Sequence, residues 1–108
     1  MTFSQLERDA WRVAYDLNTG NAEDAAAVLR QEMYFYPLEF STFLYEVNRL
    51  SSPNRRDDIL YDSTGNLMVK DRYTGYTVMV GKPGFPSLPP ILPPIDLGGG
   101  YGSSGNGG

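Results

Sequence analysis

The chemistry open to this chain rests on carboxylates, because it holds 13 Asp and Glu residues but neither a histidine nor a cysteine. Without histidine it lacks the commonest general base near neutral pH, the commonest zinc ligand and the Ser/His and Cys/His nucleophile pairings. Without cysteine it has no thiolate and no disulfide to staple a small core. Carboxylate or Lys/Tyr acid–base work and oxygen-ligand Mg²⁺ or Ca²⁺ sites remain. The densest acid cluster is Asp57, Asp58 and Asp62. It lacks the alternating acid ligands and terminal Glu of a calcium loop, and Asp62 reads as a turn starter that bonds its own backbone. No metal, cofactor or enzyme activity is expected, and a carboxylate-based enzyme using Asp58 and Asp62 stands as a weak third reading.

Charge removes a further class of partner. At a net charge of -4 the chain lacks the basic face that phosphate contacts need. Its one adjacent basic pair, Arg55 and Arg56, runs directly into Asp57 and Asp58. No apolar run reaches the length of about 18 residues that a membrane-spanning helix needs, so no membrane partner is expected. The opening residues lack the basic and apolar regions of a secretory signal. A cytoplasmic protein is therefore the default expectation, with leaderless export left open.

The elements that must position these side chains follow from hydrophobic spacing. Ser4 and Glu7 fit a capping box, and Leu6, Ala10, Val13, Ala14 and Leu17 recur at helical intervals behind them, with Phe3 as a staple. Gly20 suits a helix stop, and Asn21 suits the cap of a second helix that presents Ala22, Ala25, Ala26, Leu29 and Met33 and ends by about Phe35. Pro37 opens a third helix carrying Phe40, Phe43, Leu44, Val47 and Leu50, which Ser51, Ser52 and Pro53 end. The period then changes to alternation: 59–62, 67–71 and 76–80 read as three strands joined by turns with glycine late in each.

Alternation assigns Ile59, Tyr61, Leu67, Val69, Tyr76, Val78 and Val80 to the face against the helices, and Leu60, Asp62, Met68, Lys70, Thr77 and Met79 to the other. That second face is more apolar than a solvated face should be. Leu60, Met68 and Met79 are its candidate contact residues, since methionine suits adaptable contacts and clustered exposed apolar groups mark interfaces. The same face could join two copies of the chain.

Beyond Gly81 the composition shifts. Residues 82–108 hold six of the eight prolines, eight of the twelve glycines and a single acid. The chain therefore divides into a body of residues 1–81, a Pro-rich extended segment at 82–97 and a flexible Gly/Ser tail at 98–108. The Pro-rich segment contains PxxP spacings and adds Phe85, Leu88, Ile91, Leu92 and Ile95 as further candidate contacts. A purely spacing segment would not need that apolar weight.

The stretch 61–67, Tyr-Asp-Ser-Thr-Gly-Asn-Leu, resembles one tyrosine–aspartate repeat of the large Rhs and teneurin-type shell proteins. It occurs once, without a tandem array, and the resemblance implies a similar β-hairpin.

The resulting expectation is an α+β fold: three N-terminal helices packed on a three-stranded antiparallel meander, followed by the Pro-rich and Gly-rich tail. The expected function is a non-catalytic protein-binding module, such as an adaptor, inhibitor or immunity-like protein. The alternative is an exported or processed protein whose body is recognised while its Gly-rich end is cleaved or modified.

Overall fold

A computed structural model describes residues 1–84. Helices α1 (Phe3–Thr19), α2 (Ala22–Phe35) and α3 (Phe40–Leu50) precede strands β1 (Ile59–Tyr61), β2 (Leu67–Lys70) and β3 (Thr77–Gly81). Short 3-10 turns, Pro37–Glu39 and Pro53–Asp58, lead into α3 and β1. The strands form an antiparallel meander in the order β1-β2-β3, which together with the helices is the expected α+β architecture. The tail residues Phe85, Leu88, Ile91, Leu92 and Ile95 lie outside the described residues.

Helix α1 starts earlier than its Ser4 signal suggests. Thr2 accepts from the Gln5 amide at 3.2 Å while the Gln5 side chain accepts from the Thr2 amide at 3.0 Å. Thr2 and Gln5 satisfy the same capping pattern two residues upstream, so the helix gains length and Glu7 is released to reach Arg49 on α3 at 3.0 Å. Phe3 is exposed rather than stapled. At the other end Gly20 adopts the left-handed conformation (φ 80°), and the Gly20 and Asn21 amides return to the Leu17 and Asp16 carbonyls. This satisfies the last carbonyls and reverses the chain. Asn21 does not cap α2 through its side chain, which instead donates to the Thr19 hydroxyl at 2.9 Å.

Small side chains let α2 sit deep in the molecule. Ala22, Ala25 and Ala26 are buried, and α2 lies between α1 on one side and strands β2 and β3 on the other. Phe43, Leu29, Leu67, Val13 and Val69 are fully enclosed, each contributing about 1.5–3 kcal/mol through removal of apolar surface from water. Phe40 stacks on Phe43 with ring centroids 6.3 Å apart, whereas Phe35, Tyr36 and Tyr45 stay exposed.

Two tyrosines expected on the helix-facing side are instead open to water: Tyr61 is 55% exposed and Tyr76 is 78% exposed. Tyr61 is the last residue of β1 and Tyr76 precedes β3. Both therefore sit at the sheet's ends, away from α2, where a phenol hydroxyl is better solvated than buried.

Acids also enter the core region from all three helices. Asp9 and Asp16 on α1 and Glu32 on α2 are all buried. Glu46 on α3 is buried too, and Arg49 meets its Oε1 through Nη2 at 2.7 Å and Nε at 2.9 Å. The Glu7–Arg49–Glu46 chain thereby ties α1 to α3.

Candidate binding face of the sheet

Antiparallel pairing places Leu60 opposite Met68 and Met68 opposite Met79. The three side chains form one row straight across the sheet, on the face turned away from the buried Leu67 and Val69. Leu60 and Met68 are half-buried, and Met79 is 49% exposed. Lys70 opposite Thr77 forms the next row on the same face, so a cation borders the apolar one.

An irregularity between Leu67 and Met68 shapes the β3 side. Leu67 pairs with Gly81 and Met68 with Met79, which leaves Val80 as the extra residue. Val80 is buried, so the bulge adds a core side chain without turning Met79 inward. Arg30 of α2 donates from Nη1 to the Met79 carbonyl at 2.7 Å, fixing the backbone at the outer end of the row. Nothing in the local pattern around Arg30 announces this contact, which joins residues 49 positions apart.

The turns that set the register are built on two aspartates. Asp62 accepts at Oδ1 from the amides of Thr64 and Asn66 and from the Thr64 hydroxyl, all at 2.9 Å. The Asn66 amide, the Asn66 side chain and Thr64 thus hold its carboxyl down at about 2. Asp71 plays the same part before β3, accepting from Tyr73 at 2.7 Å and Thr74 at 3.0 Å, and its carboxyl is likewise lowered. Both lie in turns rather than completing strands, because their carboxylates serve the turn backbone. The hairpin implied by the Tyr-Asp repeat resemblance is the β1–β2 hairpin, with Asp62 as its organiser.

The acid cluster does not converge on one point. Asp58 is buried and pairs with Arg55 at 3.2 Å, Asp62 is committed to its turn, and Asp57 is exposed. Among the described residues no group of three acids is placed to hold a metal ion. Among them, too, no helix is long and apolar enough to cross a membrane.

Compared with protein-family models, with curated proteins and with solved structures, the chain finds no match in any of the three.

Proposed function

We propose that the protein is a non-catalytic protein-binding module of the adaptor, inhibitor or immunity-like kind, which docks through the Leu60–Met68–Met79 row. The observation that supports this reading is the register: three apolar side chains, two of them methionines, meet side by side on the face away from the core. The long thioether side chains can repack against differing surfaces. Arg30 already occupies the Met79 carbonyl, so the partner meets the face through side chains rather than adding a strand beside β3. Its chemistry is an apolar patch with a carboxylate at the rim to meet Lys70.

A stable interface buries about 800 Å² on each side, more than one three-residue row offers. Phe85, Leu88, Ile91, Leu92 and Ile95 belong to the same proposal as the source of the remaining area. The test is affinity purification of the full-length chain beside a variant carrying Leu60→Ala, Met68→Ala and Met79→Ala together. Loss of specific partners with an unchanged melting temperature supports the reading. An identical set of co-purified proteins overturns it, as does sedimentation showing that the row serves only to join two copies of the chain.

A further inference from the structure

Asp9 on α1 and Glu32 on α2 are both buried in the seam between the helices, 4% and 1% exposed, with their carboxyl groups within hydrogen-bonding reach of each other. Two ionised carboxylates buried that close together would repel with no hydrogen between them, whereas one protonated partner can donate to the other. The other Glu32 oxygen, Oε2, is buried without a hydrogen-bond partner. That position is far more costly for an ionised carboxylate than for a neutral acid. We propose that the α1–α2 seam is closed by one bound proton, held on Glu32 and donated to the Asp9 carboxylate, and that removing it loosens the helical hairpin.

The surrounding charges assign the proton to Glu32. Arg8 and Arg12, on the same helix as Asp9, favour its ionised form, although burial raises it overall. Around Glu32, burial acts first and the Asp9 hydrogen bond and charge follow, with Glu39 from the turn after α2 adding to them and the Met1 ammonium opposing. Together they push Glu32 up to about 9 from an ordinary 4.5. Because the folded value lies above the unfolded one, the stabilisation is complete below about 4.5 and disappears as pH rises toward about 9. The far end of the seam brings further like charge, since Asp16 on α1 faces Asp24 on α2. This proton clasp is independent of the docking role proposed for the sheet.

The test uses the full-length chain and two readouts. Carbon-detected NMR should show the Glu32 carboxyl titrating near pH 9. Urea unfolding of the wild type should show the unfolding constant rising by up to about tenfold per pH unit as the proton is lost. In Glu32→Gln, whose amide donates to Asp9 without titrating, that rise should vanish above about pH 6, the upper limit of the Asp16 contribution. A Glu32 carboxyl that titrates below pH 6, or a Glu32→Gln protein that keeps the wild-type slope, overturns the proposal. If Glu32→Gln fails to fold, the wild-type titration decides alone.

Discussion

The Tyr73 ring lies against Gly20, which seats the β2–β3 turn on the corner where α1 gives way to α2. Beside it, Arg72 donates to the Asn18 carbonyl at 2.8 Å, at the negative end of α1, and stacks its guanidinium 5.0 Å from the Tyr73 ring centre. One turn of the sheet thus closes the helical corner. A Cβ at Gly20 would collide with Tyr73 Cε2 and Cδ2.

Gly20→Ala should therefore be harmful for two separable reasons. The left-handed backbone alone disfavours alanine by about 1–3 kcal/mol, and the collision with the ring adds to it. Urea denaturation should show a lower midpoint with an unchanged slope. Tyr73→Ala in the Gly20→Ala background should recover part of the loss, giving a coupling that the single changes do not predict.

The two faces of the sheet should respond oppositely to truncation. Leu67 is fully buried, and Leu67→Ala should destabilise by about 2–5 kcal/mol through lost burial and a residual cavity. Met79→Ala, on the open face, should stay within about 1 kcal/mol of wild type. Thermal and urea unfolding of the two variants would measure the contrast directly. A large loss at Met79 would mean that the row serves the fold rather than a partner.

Acid should weaken the β1–β2 turn. Asp62 is held at about 2 against an ordinary 3.8, so its folded value is the lower one. Its contribution is present above about 3.8 and is lost as pH falls toward about 2. Asp62→Asn should flatten the stability–pH curve in that window, as followed by unfolding at a series of acid pH values.

Asp16 should behave in the reverse sense. Burial raises it to about 6, against the pull of Arg12 and with Asp24 adding repulsion. A folded value above the unfolded 3.8 means that stability falls as pH rises from about 3.8 to about 6. Asp16→Asn should make that fall shallower by removing its own share, with the Glu32 share remaining, and should leave the acid response of Asp62 intact, which makes the two variants controls for each other.

The helices and the meander were legible because burial imposes a period on side chains: Leu6, Ala10, Val13 and Leu17 mark one helix face, and Leu67 and Val69 mark one strand face. Alternation also put Leu60, Met68 and Met79 on a single side, though it could not supply the register that makes them a row. Sequence reading places the cap at Ser4 where Thr2 serves, because both begin a fitting four-residue pattern, and long-range pairing of Glu7 with Arg49 accompanies the outcome. Tyr61 and Tyr76 were misplaced because parity says nothing about where the supporting helix stops. The buried acids carried a visible signal that apolar spacing alone passes over, since Asp9 and Asp16 stand seven residues apart within the same helical stripe. Arg30 and Arg72 could not be read locally at all, because their acceptors are carbonyls 49 and 54 positions away.

The grip of Arg30 on the Met79 carbonyl also bears on crowding. An edge strand whose acceptors stand open is a template on which neighbouring molecules can zip into fibrils. A bulky cation from the molecule's own helix fills one acceptor of β3, and such an obstruction is expected to disfavour strand addition there while leaving the methionines uncovered. Losing that one guanidinium would change solubility before it changed the fold.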